Sequence, residues 1–155
     1  MKSIIAALLA CLVFSLPVTA DTINGKVIGI VDGDTIDVLV AGNVTHRIRL
    51  AGIDAPEESQ AFGSRSTEHL SSLVFGKTVS VEWTKKDRDE RPVGKILIAG
   101  KDANLAQAQA GMAWHFKKYQ KEQSPADRAS YAQAEIDARA NRIGLLGRRQ
   151  SNTTL

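Results

Sequence analysis

The stretch KVIGIVDGDTIDVLVAGNVTHRIRL (residues 26–50) contains the clearest pattern of secondary structure in the sequence. Three of its segments are rich in β-branched and aliphatic residues and have the length of short strands: residues 26–31, 35–40 and 44–50. They are separated by DGD (residues 32–34) and AGN (residues 41–43), which contain the residues that favour tight turns. We therefore predict a meander of three antiparallel strands.

The third strand presents two different faces. Because side chains alternate along a strand, one face carries an apolar row that includes a histidine: Val44, His46, Ile48 and Leu50. Arg49 belongs to the other face and is predicted to project away from this row. His46 is interpreted as a packed or edge side chain, because no metal-ligand spacing links it to the other histidines.

The residues after the meander predict further elements. Leu70, Leu73 and Val74 recur at helical spacing and Gly76 supplies a stop, so residues 64–75 are predicted to form a helix. Alternation and composition predict two more strands and two more helices: strands over residues 79–83 and 94–99, and helices over residues 104–110 and 127–141.

These elements define the predicted fold class, which is α+β and mainly β. The expected architecture is a five-stranded barrel of the oligonucleotide-binding type (OB-fold) with about three helices. Residues 21–147 are expected to form one domain, since a chain of this length supports a single core. Residues 148–155 are polar and are predicted to be a flexible tail.

Residues 1–20 (MKSIIAALLACLVFSLPVTA) have the pattern of a secretory signal peptide, with Lys2 before an apolar run and small residues at the end. We expect an exported protein, periplasmic or secreted, without stable membrane association, because no second hydrophobic stretch follows. Cys11 is the only cysteine. A lipid anchor at Cys11 is the alternative, but the apolar run continues past this residue. If residues 1–20 are removed, the mature protein has no cysteine, which excludes disulfide bonds and thiol catalysis.

The formal net charge of +3 is too small to indicate a polyanionic partner, and it drops by one if Lys2 is removed. Local clustering is more informative. Two stretches are basic: Lys85, Lys86, Arg88, Arg91 and Lys95 in the first, and Lys117, Lys118 and Lys121 in the second. Either stretch alone is most simply interpreted as a solvated face.

Two carboxylates fall at neighbouring strand ends in the predicted meander. Asp34 lies in the first turn, where Asp and Gly are also simply good turn formers. Asp54 follows the third strand. The turn resembles a fragment of an EF-hand loop, but that motif is rejected because its closing Glu is missing. Hard oxygen ligands of this kind suit Ca²⁺ or Mg²⁺, and export favours Ca²⁺.

The segment RLAGIDAPE (residues 49–57) combines an arginine, two acids and a rigidifying proline within nine residues. Arg49 begins it, and Asp54 and Glu57 follow at its end. The ordinary interpretation is a polar strand end followed by an acid at a helix N-terminus. The density of charged side chains favours a functional site instead.

The order and spacing of four motifs resemble the staphylococcal-nuclease-like (thermonuclease) family. The motifs are VDGDT (residues 31–35), RLAGIDAPE (residues 49–57), DRDERPVGK (residues 87–95) and NLAQAQAGMAW (residues 104–114). The resemblance covers roughly the whole predicted domain. It implies an OB-fold barrel, a single Ca²⁺, and cleavage of DNA or RNA to products that end in a 3′-phosphate.

The resemblance also implies roles for individual residues. Asp34 and Asp54 match the metal-binding carboxylates, and Ala55 matches the residue that lends its backbone carbonyl, where the family more often has Thr. Glu57 matches the acid that activates water, although Glu58 is the neighbouring alternative. The chemistry needs such a set, because charge grows on the phosphate in the five-coordinate transition state.

Two phosphate-binding arginines complete the implied set. Arg49 and Arg91 match them, and Arg suits this role because its planar fork holds two oxygens at once. The family commonly has an aromatic residue and Gly before the second arginine, where this chain has Asp89 and Glu90. These acids are expected to weaken the local positive field.

Aromatic residues near the end of the domain are candidates for base stacking. Tyr119 matches a family aromatic near the substrate, while the other expected ring position is Lys117. Trp114 and Phe116 are expected to pack in the core instead.

The sequence thus predicts an exported, monomeric, Ca²⁺-dependent nuclease that acts on DNA, RNA or both. One alternative is a catalytically silent OB-fold module that binds nucleic acid. An exported calcium-binding adapter is another, and it would need the acids without the arginines.

Overall fold

The computed structural model describes residues 20–147. The predicted signal peptide, apart from Ala20, and the predicted tail over residues 148–155 lie outside the described residues. The strands are β1 (Asp21–Asp32), β2 (Thr35–Val40), β3 (Val44–Leu50), β4 (Ile53–Asp54), β5 (Thr78–Lys86), β6 (Pro92–Ile98), β7 (Lys101–Asp102) and β8 (Trp114–His115). The helices are α1 (Gly63–Val74), α2 (Ala103–Gln109) and α3 (Pro125–Ala140).

Five strands form a closed barrel, which confirms the predicted OB-type fold. Their order is β3-β2-β1-β5-β6, and all these neighbours are antiparallel. A parallel pairing between β3 and β6 closes the ring, with Arg49 opposite Val93 and Leu50 opposite Gly94. Closure therefore places the end of β3 beside the beginning of β6, just after the β5–β6 hairpin.

The predicted element boundaries differ most at β1. This strand begins at Asp21, whereas the sequence predicted a start at residue 26. The extra residues pair with β5, from Asp21 opposite Trp83 to Lys26 opposite Thr78. The helix boundaries agree with the prediction to within two residues. The difference of two residues is at the start of α3, which begins at Pro125 and not at residue 127. Here Ser124 caps the helix, because its side chain accepts from Asp127 N at 3.1 Å.

The core fills the barrel and the space beneath α1. Its fully buried members are mostly β-branched or leucine side chains: Val27, Ile36, Val38, Ile48, Leu50, Ile53, Leu70, Val74, Val81 and Ile96. Ile48 and Leu50 come from the apolar row predicted for β3, while His46 on the same row is half-buried. Arg49 lies on the opposite face, as the two-residue period predicts.

A short pair of strands outside the barrel was not predicted. β4 pairs antiparallel with β8, with Ile53 opposite His115 and Asp54 opposite Trp114. This pairing turns His115 inward, where it is 3% exposed, and leaves Trp114 36% exposed. The expectation that Trp114 packs in the core was therefore wrong, because strand alternation allows only one of these neighbours to face inward.

Candidate active site

Asp34 lies in the turn between β1 and β2 and is 5% exposed. Its Oδ2 accepts from the backbone N–H of Ala55 at 2.7 Å, and its Oδ1 accepts from the Thr35 hydroxyl at 3.2 Å. The turn itself is closed by Asp32, whose Oδ1 accepts from Asp34 N at 2.9 Å. These contacts tie the first turn directly to the loop that follows β4.

Arg49 joins the two carboxylates that the sequence singled out. Its Nη1 pairs with Asp34 Oδ1, and its Nη2 donates to Asp54 Oδ1 at 3.0 Å. The arginine side chain is 17% exposed, compared with 8% for Asp34 and 47% for Asp54. We call these three residues the Arg49 cluster. Its members come from three different elements, so only the closed barrel brings them together.

The cluster leaves Asp34 in an unusual electrostatic position. Burial raises the pKa of Asp34 to about 7, and Asp32 adds to this effect, although the positive charge of Arg49 opposes it. A buried carboxylate of this kind gains from a positive charge placed beside it. Arg49 thus favours the ionised form of this buried carboxyl group.

The donor set fits a hard divalent cation that keeps part of its water shell. Among residues 20–147, no three His, Cys, Asp or Glu side chains are grouped so that they could hold a metal ion. Asp34 and Asp54 meet on one guanidinium, and the Ala55 N–H contacts Asp34, which brings the Ala55 peptide to the same place. Two carboxylates and a backbone carbonyl are oxygen ligands of the kind that hard divalent cations prefer, with water as the remaining ligands.

Glu57 lies three residues beyond Asp54 and is exposed. The loop is held at this position because Glu57 N donates to Gln60 Oε1 at 2.8 Å. A carboxylate that is exposed to solvent is able to accept a proton from water. Glu58, the alternative from the sequence, is also exposed.

Arg91 is held within the β5–β6 hairpin by nearby acids. Its Nε and Nη2 donate to Asp87 Oδ2 at 2.9 and 2.8 Å, and its Nη2 lies 3.5 Å from Asp89 Oδ2. Burial opposes ionisation of Asp87, but hydrogen bonds from Arg91 and Asp89 N outweigh it and lower the pKa of this carboxyl. We call Asp87, Asp89 and Arg91 the hairpin cluster. Next to it, Glu90 has a left-handed backbone with φ of 60°.

One groove of about 510 Å³ connects the two arginines. Arg49 lines one part of it and Arg91 another. The remaining cations along its wall come from both basic stretches of the sequence: Lys85, Lys86, Arg88 and Lys118. Asp87 and Asp89 are the acids among the lining residues, so positive charge dominates.

Tyr119 also lines this groove and is 41% exposed. Lys85 Nζ lies 4.5 Å from the centre of its ring, and the ring of Phe116 meets it edge-on at 5.1 Å. Lys117, which stands where the family has another ring, instead pairs with Glu135 at 2.6 Å. A single exposed aromatic ring among lysines is thus available at the groove wall.

The structure brings most of the predicted residues together and adds others. Arg49 contacts both Asp34 and Asp54, and Ala55 N donates to Asp34. Arg91 lines the groove together with Arg49, and its own ion pairs are with Asp87 and Asp89. Asp32 was missed as a neighbour of Asp34, although the DGD turn offered a signal. The basic residues 85–88 were interpreted as a solvated face and prove to line the groove.

Comparison with known proteins defines the class to which this fold and site belong. The family model of the staphylococcal nuclease homologue matches residues 47–146. A protein of Shigella flexneri named micrococcal nuclease is 42% identical, over 94% of this chain and 88% of that protein. An uncharacterized endonuclease of Haemophilus influenzae is 41% identical, over 77% of this chain and 64% of that protein.

A more distant relative is the staphylococcal-like nuclease CAN1 of Arabidopsis thaliana, 38% identical over 64% of this chain and 29% of that protein. The present chain belongs to the staphylococcal nuclease homologue family. It is a nuclease, and therefore a hydrolase whose substrate is nucleic acid. No helix within residues 20–147 is long and apolar enough to span a membrane.

Proposed function

We propose that this protein is an exported, Ca²⁺-dependent nuclease that hydrolyses phosphodiester bonds of DNA, RNA or both and leaves 3′-phosphate ends. The observation that carries this proposal is the convergence of Asp34 and Asp54 on Arg49 at one end of a basic groove that Arg91 also lines. A binding module would need the basic groove but not a buried carboxylate at its end.

Asp34, Asp54 and the backbone carbonyl of Ala55 are the groups that would hold Ca²⁺. When bound, the ion would offset the negative charge of the phosphate and make a nearby water a better nucleophile. Export brings the protein to compartments where calcium is plentiful. A set of two carboxylates and one backbone carbonyl also suits Ca²⁺, which accepts flexible coordination by oxygen, better than Mg²⁺.

The two arginines are assigned to the scissile phosphate. Each guanidinium can donate two parallel hydrogen bonds to phosphate oxygens, and these bonds strengthen as charge develops in the transition state. Arg49 is positioned for this role by the acids that hold it, and substrate would take over part of these contacts. Arg91 must exchange its contact with Asp89 for phosphate, because both acceptors compete for Nη2.

Glu57 is assigned the proton transfer. Its carboxylate accepts a proton from water as the water oxygen attacks phosphorus in line with the leaving group. The bond from phosphorus to the 5′ oxygen breaks, and that oxygen takes up a proton to become a 5′-hydroxyl. The phosphate remains on the 3′ side of the cut, which accounts for the proposed product.

Export of the protein is assigned to its first 20 residues. They form a signal peptide that directs the protein out of the cytoplasm and is then removed, so we expect the mature nuclease to begin near Asp21. We further propose that it acts as a monomer, because the groove and both arginines belong to one chain. N-terminal sequencing of protein recovered from a periplasmic or culture fraction tests the export.

The activity is tested with the mature protein, plasmid DNA and an RNA transcript. We expect cleavage to disappear with a chelator and to return when Ca²⁺ is added back, which would establish the Ca²⁺ requirement. Treatment of the DNA products with a 3′-phosphatase should be required before a polymerase can extend them. Products that are extended without this treatment would rule out the proposed polarity of cleavage, and full activity in chelator would rule out the metal requirement.

A further inference from the structure

The peptide unit just before the Asp34 side chain is held on both of its edges. On one edge, the Asp34 N–H donates to Asp32 Oδ1 at 2.9 Å. On the other, the Gly33 carbonyl oxygen accepts from Gln107 Nε2 at 2.7 Å. Because both groups belong to one planar unit, the two hydrogen bonds hold the orientation of that plane, which contains the Asp34 Cα atom that carries the side chain.

Gln107 reaches this turn from α2 and is completely buried. Its Nε2 also donates to the Ser66 carbonyl on α1 at 3.1 Å, and its Oε1 contacts His69 Nδ1. Carbonyl oxygens only accept hydrogen bonds, so the amide has to turn its NH₂ group toward Gly33 and Ser66. The orientation of Gln107 is therefore determined by its surroundings.

The turn has no room to move toward α1. A Cβ atom at Gly33 would lie 1.9 Å from Ser66 Oγ and 2.8 Å from Ala55 Cβ. Ser66 Oγ is itself anchored, because it donates to the Met112 carbonyl at 2.7 Å. The glycine thus allows the backbone before Asp34 to pack closely against α1 and Ala55, and Gln107 links the same turn to α2 by a hydrogen bond.

Burying an amide side chain costs free energy unless each of its polar atoms finds a hydrogen-bond partner in the protein. An apolar side chain of similar size would fill the same space without this demand. Gln107 belongs to α2 and links it to the β1–β2 turn and to α1 through the Gly33 and Ser66 carbonyls. Its hydrogen bonds are thus directed at the backbone that carries a candidate metal ligand.

We infer that Gln107 is a positioning residue, which sets the orientation of the Asp34 carboxylate and thereby the affinity for Ca²⁺. The inference rests on the proposed role of Asp34 as a metal ligand. Residues that orient a ligand without touching the metal commonly change metal affinity by about 10- to 100-fold when replaced. We expect a loss in this range when the amide of Gln107 is removed.

The test compares Ca²⁺ binding by calorimetry to the wild type and to Gln107→Leu and Gln107→Met. Both variants remove the donor while nearly preserving volume. They should bind Ca²⁺ about 10- to 100-fold more weakly. In the nuclease assay, half-maximal activation should move to a higher Ca²⁺ concentration, while kcat at saturating Ca²⁺ should remain close to that of the wild type.

Tyr131→Phe is the matched control for a lost buried hydrogen bond. Tyr131 is 1% exposed and donates to Asp102 Oδ2 at 2.8 Å, and neither residue contacts the Asp34 turn. This variant should lose thermal stability and keep the wild-type Ca²⁺ affinity. If it loses as much affinity as the Gln107 variants, or if folded Gln107 variants bind Ca²⁺ as the wild type does, the positioning role is refuted.

A measurement on the wild type covers the case in which the variants do not fold. In ¹⁵N-labelled protein, the side-chain NH₂ resonances of Gln107 should shift on titration with Ca²⁺ together with the backbone amides of Asp34 and Ala55. Shifts of the backbone amides without a response of the Gln107 side chain would also refute the positioning role. Absence of any Ca²⁺ binding by the wild type would instead contradict the proposed function.

Discussion

Arg49 and Arg91 line the same groove, and both are held by carboxylates, but in different ways. Arg49 is 17% exposed and pairs with acids from other elements, one of them nearly buried. Arg91 is 29% exposed, and its partners lie two and four residues away in the same hairpin. One arginine is thus held by tertiary structure and the other by local structure.

This difference indicates how firmly each arginine side chain is held in place before substrate binds. In the Arg49 cluster, removing a partner leaves a buried charge without compensation, which typically costs about 3–5 kcal/mol. In the hairpin cluster, exposed pairs are typically worth about 0–1 kcal/mol and are screened by salt. We therefore expect the Arg49 side of the groove to be rigid and intolerant of change, and the hairpin side to be adjustable.

The largest effect is expected at Glu57, which follows Asp54 of the Arg49 cluster by three residues along the chain. Glu57→Gln should reduce kcat by about 10²- to 10⁴-fold, because it removes the proposed general base while leaving the fold and Ca²⁺ binding intact. Glu58→Gln is the matched control and should retain nearly full turnover. If kcat falls in Glu58→Gln and not in Glu57→Gln, Glu58 is the general base and the assignment to Glu57 is wrong.

Replacing each arginine by lysine tests the comparison directly. Arg49→Lys should reduce kcat at saturating Ca²⁺ by about 10²- to 10³-fold, because lysine cannot hold two phosphate oxygens in one plane. Arg91→Lys should cost less, since this side chain must first leave its acids. Thermal unfolding should also separate the variants, with the lower midpoint for Arg49→Lys. Equal losses of activity and stability would break the distinction between the two clusters.

The pH dependence of Ca²⁺ binding probes the buried side of the comparison. The pKa of Asp34 is raised to about 7, so the carboxyl must lose a proton before it can bind the ion. Affinity measured by calorimetry should therefore rise by roughly tenfold per pH unit below this pKa and level off above it. A flat profile between pH 5 and 8 would show that Arg49 keeps Asp34 ionised throughout.

The same raised pKa has a consequence for the metal-free protein. The pKa of Asp34 is higher in the folded protein, about 7, than in the unfolded chain, 3.8. The carboxyl therefore stabilises the fold fully below pH 3.8, and this contribution is lost as the pH rises through about 7. Metal-free wild type should thus lose stability between pH 4 and 7 relative to Asp34→Asn, which cannot titrate. Urea unfolding at several pH values measures this difference, and parallel curves would contradict it.

A smaller effect is expected in the hairpin cluster. Asp89→Asn should lower KM for DNA by up to about fivefold at low salt, because it removes a weak competitor of phosphate for Arg91. Glu90→Gln makes the same change in charge without contacting Arg91 and serves as the control. The gain should fade as ionic strength rises. An equal gain from both variants would reduce the role of Asp89 to general charge repulsion.

The smallest effect concerns backbone strain in the same hairpin. Glu90 has φ of 60°, a conformation that glycine adopts without steric cost. Glu90→Gly should raise the free energy of unfolding by about 0.5–1 kcal/mol, as measured in urea. Glu90→Ala keeps the Cβ atom and should bring no such gain. If both variants stabilise the protein equally, charge and not backbone conformation limits the hairpin.

Much of the barrel could be predicted from the sequence because its strands are joined by short turns. The pattern of residues 26–50 predicted β2 and β3 with their observed bounds. The apolar stripe at Leu70 and Val74 likewise predicted α1. Such patterns are visible because local geometry repeats them every two or every 3.6 residues. The beginning of β1 was missed, since its pairing partner lies in distant β5. The last three residues of β5 and the first two of β6 were also missed.

The candidate site was less predictable than the fold. The identity of Asp34, Arg49 and Asp54 followed from motifs, but their meeting depends on the β3–β6 closure and on the Ala55–Asp34 hydrogen bond. Gln107 carried no signal in the sequence, because a glutamine on a short alanine-rich helix indicates nothing about a turn 74 residues away. The prediction that Trp114 packs in the core was wrong for a related reason. Aromatic side chains are usually buried, but the pairing of β8 with β4 determines which side of the strand Trp114 faces.

The sequence by itself determined the strand faces, the turns and the chemical types of the side chains, because these depend on neighbouring residues and on the resemblance of linked motifs. It also contained Arg91 and its acids as a local unit. Only the tertiary structure decided that Asp34 is buried against Arg49 and that both arginines share one groove. These properties arise from closure of the barrel, which brings together residues whose separation along the chain leaves no local pattern.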